Sequence, residues 1–321
     1  MDLRQLAALI AVSETGTFSA AATRLHTVQS NVSAHIARLE KILGATLVDR
    51  SAGRLTEEGE IVVARARRVQ AELDAMIADV ISLRHEVIGE VRVGVIGTVA
   101  RWLVAPLHSR LRDLHPGVHM VVVDASTTSL LPQLISGNLN LAIANLPVVD
   151  DDLVCRPLFD EEMWAIVPEG HALQNKRWLT LTDLVDLPLL LPPRGRSYRT
   201  GIDAAATAAG VTLTPKAEID GVNLITALAL DGVGIGIIPS TGLPKGAEGP
   251  WRRIPVQGLP RRRVGVVQRR RGMLSAPSRA LLEALYEILP KETAQQTGVE
   301  LLPPPRVEPE VPLDDTGSPV G

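Results

Sequence analysis

Residues 16–44 read GTFSAAATRLHTVQSNVSAHIARLEKILG, and this stretch decides the fold of the N-terminal region. Its apolar spacing predicts a short helix over residues 20–25 and a longer helix over residues 29–43, with a tight turn between them. We expect Ser19 to cap the short helix and Gly44 to end the longer one, because glycine readily adopts the left-handed conformation beyond helix ends. The stripe predicted to be buried on the longer helix consists of Val32, Ile36, Leu39 and Ile42.

The flanking segments complete a helix-turn-helix with a wing. An amphipathic helix is predicted after Asp2, a suitable N-cap, and residues 47–48 and 54–55 have the composition of a small β wing. Such a helix pair places its second helix in the major groove of DNA, where polar side chains pair with base edges. The polar residues in the first turn of that helix are Gln29, Ser30 and Asn31. Arg38 lies further along and suits a phosphate; a set of helix caps and a solvated face is the alternative interpretation.

Residues 57–88 carry a pattern that predicts a long helix. Apolar residues recur there at alternating spacings of four and three: Val62, Ala66, Val69, Leu73, Met76, Val80, Leu83 and Val87. A stripe sustained in this way is typical of a coiled coil. We therefore predict that the helix pairs with a second copy of the chain through Val62, Val69, Leu73, Met76, Val80 and Leu83. Packing of the stripe against the same subunit is the alternative.

Beyond residue 90, short β-rich runs alternate with helical segments. This alternation predicts an α/β fold with mainly parallel sheets, and about 200 residues are too many for one sheet of the usual size, so we expect two lobes. The segment 291–321 carries six prolines and six acidic residues, and few apolar ones. Such a composition cannot offset the entropy of ordering, so residues 293–321 are predicted to be a disordered tail.

Composition excludes several classes of function. The chain has 321 residues and a formal charge of −3, so it is not basic throughout, although residues 1–56 hold six basic against four acidic side chains. Its aromatic residues are few and scattered, which argues against a stacking surface for single-stranded nucleic acid. The single cysteine, Cys155, excludes an internal disulfide and a cysteine-rich metal site. With no spanning apolar run and no secretion signal, we expect a cytoplasmic protein that does not bind membranes.

Motifs for catalysis are weak. The glycine-rich run 232–236 follows a helix and enters a strand, which is the reverse of a dinucleotide-binding loop. His115 and His119 flank a Pro-Gly pair, so they cannot share a helix face as metal ligands. We therefore expect no enzymatic activity, no catalytic residue, no metal and no cofactor. A small-molecule binding protein, or an enzyme with an unrecognised site, is the alternative.

The N-terminal region resembles that of the LysR-type transcriptional regulators. The matching stretches are DLRQL (2–6), GTFSAAA (16–22), LHTVQSNVS (25–33), IARLE (36–40), LGATL (43–47) and LTEEG (55–59). Weaker matches are VGV (93–95), LHPGV (114–118), GNLNLAI (137–143) and GVGIGIIP (232–239), so that the resemblance covers about residues 1–292. The wing is about two residues shorter than the family pattern, and the acidic tail extends beyond the usual end.

The resemblance implies an α+β multidomain fold with a two-lobed α/β effector domain like that of type 2 periplasmic binding proteins. The implied segments are a winged helix-turn-helix (1–58), a dimerising linker helix (59–88), an effector domain (89–292) and the tail (293–321). Lobe one would comprise 90–161 and 268–292, and lobe two would comprise 162–267. The implied partners are double-stranded operator DNA, a small-molecule effector, further copies of the chain in a homodimer or homotetramer, and RNA polymerase.

The resemblance also implies roles for individual residues. Gln29, Ser30, Asn31 and Ser33 would read bases, and Arg50 and Arg54 on the wing would contact the DNA backbone or minor groove. Ligands of open α/β sheets bind beyond the carboxyl ends of strands, and predicted strands end close to Thr98, Thr128, Asn145, Arg196 and Ser197. Family members line their effector pocket with hydroxyl side chains at such positions, which here are Thr98, Thr128 and Ser197. The expected effector is a small organic anion, with its carboxylate at the helix that begins near Thr98 and Arg196 as counter-ion.

Overall fold

The structure, a computed structural model, describes residues 1–49, 53–83, 86–244 and 246–303. Within these ranges no single helix is long and apolar enough to cross a membrane. The chain clusters into two compact units. The first holds residues 1–94, 107–142 and 268–285, and the second holds residues 95–106, 143–267 and those from 286 onward.

The N-terminal segment folds as a winged helix-turn-helix. Its elements are α1 (Leu3–Thr15), α2 (Phe18–Arg24), α3 (Gln29–Leu43), β1 (Val48–Asp49) and β2 (Arg54–Leu55). Asp2 caps α1 in a reciprocal arrangement with Gln5, and Gly44 ends α3 with φ 67°, as the sequence predicts. Thr17 rather than Ser19 caps α2, since its Oγ1 accepts a hydrogen bond from the Ala20 N–H at 3.2 Å. The predicted cap Ser19 was therefore wrong by two residues.

The core of this domain explains a second difference. Val32, Ile36 and Leu39 on α3 are fully buried with the apolar faces of α1 and α2, but Ile42 is 52% exposed. Ile42 lies in the last turn of α3, where the predicted stripe extends beyond the reach of the other two helices. Its expected burial was therefore wrong.

A long helix follows the wing. Helix α4 (Glu57–Ser82) begins at the cap Thr56, whose Oγ1 accepts from the Gly59 N–H at 3.0 Å. Gly59 is required there, because a Cβ at this position would lie 2.0 Å from the carbonyl oxygen of Leu47. The helix ends six residues before the predicted limit of 88, and a strand begins at Gly89.

The remaining residues form two sheets with flanking helices, as the α/β pattern predicts. The six-stranded sheet contains β3 (Gly89–Val95), β4 (Val118–Asp124), β5 (Leu141–Leu146), β6 (Leu153–Glu161), β12 (Arg262–Arg269) and β13 (Val299–Leu301). Its strand order is β13-β6-β12-β5-β3-β4. The helices that follow these strands in the chain are α5 (Gly97–Leu114), α6 (Thr127–Ile135) and α9 (Ala276–Ala294).

The five-stranded sheet is mixed. It contains β7 (Met163–Pro168), β8 (Leu189–Leu191), β9 (Pro215–Glu218), β10 (Ile235–Pro239) and β11 (Trp251–Pro255). Strands β9, β8 and β10 run parallel to one another, while β7 is antiparallel to both β10 and β11. Helices α7 (Ser197–Ala208) and α8 (Val222–Leu230) belong to this sheet, which buries an apolar cluster on each face.

Two predicted boundaries need correction. Strand β12 belongs to the six-stranded sheet from Arg262, so the chain returns to that sheet before the predicted residue 268. The predicted tail does not begin at residue 293. Thr293 is buried within α9, and β13 pairs antiparallel with β6, with Val299 opposite Glu161 and Leu301 opposite Phe159. The rest of the tail, from residue 304, lies outside the described residues.

Candidate DNA-binding and effector sites

The first turn of α3 presents polar side chains to solvent. Gln29, Ser30 and Asn31 are exposed, and Ser33 is half-buried. The N-cap residue Val28 makes no side-chain capping hydrogen bond, so its side chain does not occupy the backbone N–H groups of this first turn. Asn31 Nδ2 donates to Thr27 Oγ1 at 3.0 Å, which orients the amide. The opposite face of α3 is buried, and the polar turn is therefore held outward by a rigid core.

The wing follows α3 in the sequence. Val48 pairs with Leu55 and Asp49 with Arg54, and both Arg54 and Arg38 of α3 are exposed. Arg50 lies outside the described residues.

Sequence reasoning missed Glu40, whose Oε1 accepts from the backbone N–H of Leu47 at 2.8 Å. An acid at the end of a helix that precedes a short strand was the available signal. This carboxylate fixes the start of the wing on α3.

Helix α4 leaves most of its predicted apolar stripe uncovered. Val69, Met76, Val80 and Leu83 are 43%, 57%, 59% and 80% exposed, and Leu73 is half-buried. Val62 differs, because it packs against the helix-turn-helix core of its own chain. Val62 is only partly buried by this packing, and its contact with a second copy stays a prediction. The other stripe residues remain candidates for contact with a second copy.

Thr98 lies in a buried polar cluster. It is the second residue of α5, is 3% exposed, and its Oγ1 accepts from Arg262 Nη2 at 2.7 Å. Arg262 also donates from Nε to Glu161 Oε1 at 2.7 Å. The other oxygen of this carboxylate accepts from the hydroxyl of Thr241 at 2.7 Å. The cluster joins the start of α5, the ends of two neighbouring strands and the turn after β10.

The pair of Arg262 and Glu161 is the centre of a ladder of three ion pairs between residues 261–263, where β12 begins, and residues 160–162, where β6 ends. Arg263 binds Asp160 through two hydrogen bonds of 2.8 Å, and Arg261 binds Glu162 at 3.1 Å. The outer arginines are 50% and 38% exposed, whereas the side chain of Arg262 is 6% exposed. The two runs of three like charges, about 100 residues apart in the chain, therefore neutralise each other.

A cavity of about 210 Å³ lies beside this ladder. Its polar lining includes Asn145, Tyr198 and the three arginines, and its apolar lining includes Met163 and Ile202. Tyr198 donates its hydroxyl proton to the carbonyl oxygen of Ile237, and burial raises the pKa of this phenol. The tyrosine is therefore a neutral wall of the cavity at physiological pH.

The predicted effector residues are only partly brought together. Asn145 lines the cavity directly, and Thr98 is linked to it through Arg262. Arg196 instead forms an ion pair with Asp220, and Ser197 begins α7. Thr128 is exposed in the first turn of α6, where its Oγ1 lies 3.0 Å from Ser126 Oγ. The expected pairing of Thr98 with Arg196 is thus replaced by the pairing of Thr98 with Arg262.

Arg199 is a buried residue that sequence reasoning missed. Its side chain is 1% exposed and donates to Asp203 at 2.8 Å, to Glu218 at 2.8 Å and to the Pro192 carbonyl oxygen at 2.8 Å. These bonds raise the pKa of the guanidinium against the opposing effect of burial. The i,i+4 spacing of Arg199 and Asp203 on a helix was the available signal. Arg199 fixes the start of α7 to the ends of β8 and β9.

Comparison with known proteins identifies the family. A model described as "LysR substrate binding domain" matches residues 84–289, and one described as "Bacterial regulatory helix-turn-helix protein, lysR family" matches residues 3–60. A protein of Mycobacterium avium described as a probable hydrogen peroxide-inducible genes activator is 33% identical over 270 residues, covering 82% of this chain and 86% of its own. The DNA-binding transcriptional dual regulator OxyR of Escherichia coli K12 is 28% identical over 290 residues, covering 89% of this chain and 95% of its own.

Solved structures agree with the sequence comparisons. A full-length OxyR variant from Pseudomonas aeruginosa is 25% identical with a TM-score of 0.70, covering 90% of this chain and 94% of its own. CbnR, described as a LysR family transcriptional regulator, shares the fold at 19% identity with a TM-score of 0.66, covering 89% of this chain and 99% of its own. The chain therefore belongs to the LysR family and is a LysR-type transcriptional regulator.

Proposed function

We propose that this regulator binds operator DNA through the first turn of α3 and that a small molecule in the effector-domain cavity modulates the binding. The observation that carries the proposal is the exposure of Gln29 and Asn31 on a helix whose other face is fully buried. Amide side chains form paired hydrogen bonds with adenine in the major groove. A relative, CbnR, has been solved in complex with its target DNA.

Oligomerisation would supply the affinity that one DNA-binding domain lacks. The excess of basic over acidic residues in 1–56 is only two, and few phosphate contacts give weak binding at physiological salt. Two domains on one scaffold gain through effective concentration. The exposed stripe of Val69, Met76, Val80 and Leu83 is the surface that we assign to pairing with a second copy.

The chemistry of the cavity favours an effector with an acceptor oxygen. The Nε and Nη2 groups of Arg262 make the bonds to Glu161 and Thr98. Within the described residues, its Nη1 group has no hydrogen-bond partner. Arg262 lines the cavity, so this donor is available to a ligand. We assign the carboxylate of a small organic acid to this donor and to the Asn145 amide. Glu161 already offsets the charge of Arg262, so the preference for an acid over its amide should be modest.

Cysteine content separates this chain from a sensor that works by an intrachain disulfide. Several relatives are described as hydrogen peroxide-inducible genes activators, and one solved OxyR is described as H2O2-bound. A disulfide within one subunit requires two cysteines, and this sequence contains only Cys155. Cys155 is half-buried on β6, with its thiol 3.9 Å from the Val148 carbonyl oxygen. We assign the signal to reversible binding in the cavity, which has a charged donor, Arg262, in its lining.

Two measurements test the proposal. Selection from a random duplex library by the full chain should enrich one motif, and failure to enrich any motif would refute operator binding. Calorimetry with acid and amide pairs, such as benzoate with benzamide and propionate with propionamide, tests the cavity. We expect the acid to bind about tenfold tighter, since hydrogen bonds to ionised groups are stronger. Asn145→Ala should weaken that binding while operator affinity stays unchanged, and equal binding of each acid and its amide would contradict the assignment of an anion.

A further inference from the structure

The linker helix α4 is attached to the C-terminus of α6. Arg68 Nε donates to the carbonyl oxygen of Ile135, the last residue of α6, at 2.6 Å. Gly137 lies in the turn that follows, with φ 84°, and a Cβ there would lie 3.5 Å from the Cα of Arg68. The backbone of α4 thus approaches this turn to van der Waals distance. The contact joins the segment that carries the DNA-binding domain to a helix of the effector domain.

A second arginine binds the same helix end. Arg269 of β12 donates from Nη1 to the carbonyl oxygens of Leu134 and Leu139, both at 3.1 Å. Carbonyl groups at a helix C-terminus lack intrahelical partners and carry the negative end of the helix dipole, so two guanidinium groups satisfy them well. Glu72 lies one turn after Arg68 on α4 and opposes the effect of burial, which lowers the pKa of Arg269. The three charged groups therefore form one cluster between α4 and the end of α6.

A separate contact holds the far half of α4. Asp79 Oδ1 accepts from the backbone N–H of Ala276, the first residue of α9, at 2.9 Å and from Arg279 Nη2 at 3.1 Å. Asp79 therefore caps a helix of the effector domain from outside that helix. Eleven residues separate Arg68 from Asp79, which is ~16 Å along a helix. Two attachments at this separation fix both the position of α4 along its own axis and its rotation about that axis.

We infer that Arg68 is a positioning residue that couples α6 to the linker helix, so that a displacement of α6 changes the placement of the DNA-binding domain. Helix α6 has nine residues. It carries the exposed Thr128 in its first turn and presents its last carbonyl oxygen, that of Ile135, to Arg68. A helix of this length is a rigid rod of ~14 Å, and a shift at one end moves the other. The inference rests on the proposed function, since it supplies a route between the effector domain and the DNA.

Hydrogen exchange of the DNA-free protein tests the contact itself. The N–H groups of Gly137 and Leu139 donate to carbonyl oxygens of α6, at 3.2 Å and 3.1 Å. In Arg68→Ala these amides should exchange faster by about tenfold, because the helix end loses a hydrogen bond from a charged group. Arg68→Lys should retain part of the protection. Arg65→Ala, an exposed arginine one turn earlier on α4, is the matched control and should exchange like the parent. Unchanged exchange in Arg68→Ala would overturn the inference whether or not the chain binds DNA.

Exchange with DNA bound tests the coupling. Linkage is reciprocal, so if α6 influences DNA binding, then DNA must influence α6. The probe is a duplex that carries the motif enriched by the parent protein. In the parent, in Arg68→Lys and in Arg65→Ala, this duplex should change the exchange of the Ser129 and Leu130 amides at the start of α6. Arg68→Ala should bind the duplex but lose this change, a loss that lower stability alone does not produce. Persistence of the change in Arg68→Ala, or its absence from the parent, would overturn the coupling. Failure to enrich any motif would instead refute the proposed function. The hydrogen-exchange measurement without DNA would still test whether Arg68 stabilises the end of α6.

Discussion

Glu161 and Arg262 form an ion pair whose side chains are 0% and 6% exposed. Removing two charges from water is costly, and further hydrogen bonds to the two groups offset part of the cost. Here both carboxylate oxygens accept hydrogen bonds, one from Arg262 and one from Thr241, and Arg262 also donates to Thr98. Glu161 ends β6 and Arg262 begins β12, so the pair holds together the two points at which the chain leaves and re-enters the six-stranded sheet.

We predict that Glu161→Gln strongly destabilises the protein. The substitution keeps the size of the side chain but leaves the buried charge of Arg262 without a counter-charge, at an expected cost of about 3–5 kcal/mol in the free energy of unfolding. Urea denaturation followed by circular dichroism measures the loss.

Asp160→Asn, in the neighbouring pair with Arg263, is the matched control. Arg263 is 50% exposed, so water can solvate it when the pair is broken. Exposed pairs contribute ~0–1 kcal/mol, and we expect a loss within that range. Equal losses in the two variants would show that burial does not set the strength of the ladder.

The strand β13 should contribute to stability. It pairs with β6, and the flanking bonds run from Glu162 N–H to Gly298 O at 2.8 Å and from Leu302 N–H to Leu158 O at 2.9 Å. A chain that ends at Gln296 loses this strand, and at about 1 kcal/mol for each hydrogen bond we expect a loss of ~2–4 kcal/mol. A chain that ends at Pro303 keeps β13 and its pairing with β6, and it should unfold like the full chain. Identical melting temperatures for the two truncations would refute a stabilising role of the strand.

The helix-turn-helix could be predicted because its signals are local. Asp2 with Gln5, the apolar spacing of α3 and the stop at Gly44 all act within a few residues of the element they define. Thr17 and Ser19 are both good caps, so composition alone could not choose between them. Burial of Ile42 depended on the reach of α1 and α2, which periodicity within α3 does not reveal.

The features that escaped prediction depend on contacts distant in sequence. Strand β13 has three residues and gains its hydrogen bonds from a strand that precedes it by about 140 residues, so its own composition predicts only a polar segment. Arg262 and Glu161 are 101 residues apart, and neither sequence position indicates a buried charge. The family resemblance led to Thr98, and the position of Asn145 after a predicted strand led to that residue, but neither signal led to the arginine that joins Thr98 to the cavity.

Substitutions on α3 and on the wing should affect DNA binding differently. Gln29→Ala and Asn31→Ala should each cost ~1–3 kcal/mol against the enriched motif and relax the preference at one base pair. Arg54→Ala should weaken binding to all sequences alike and reduce the slope of affinity against salt by about one. Fluorescence anisotropy with matched and mismatched duplexes over a range of salt concentrations measures both effects. Unchanged operator affinity in both α3 variants would show that another element reads the bases.

Met76→Asp should dissociate the oligomer without unfolding the subunit. Met76 is 57% exposed on α4, so a carboxylate at this position remains solvated in a single chain. In a paired helix the same carboxylate would lie unpaired in an apolar contact, which is strongly unfavourable. We expect sedimentation velocity to show monomers, and operator affinity to fall by about 10²–10⁴, the gain that linking two binding domains provides. Ile61→Asp is the matched control, because Ile61 is 60% exposed on the same helix but lies off the stripe, and this variant should stay oligomeric. An oligomeric Met76→Asp protein with normal operator affinity would show that subunits pair through a surface other than the α4 stripe.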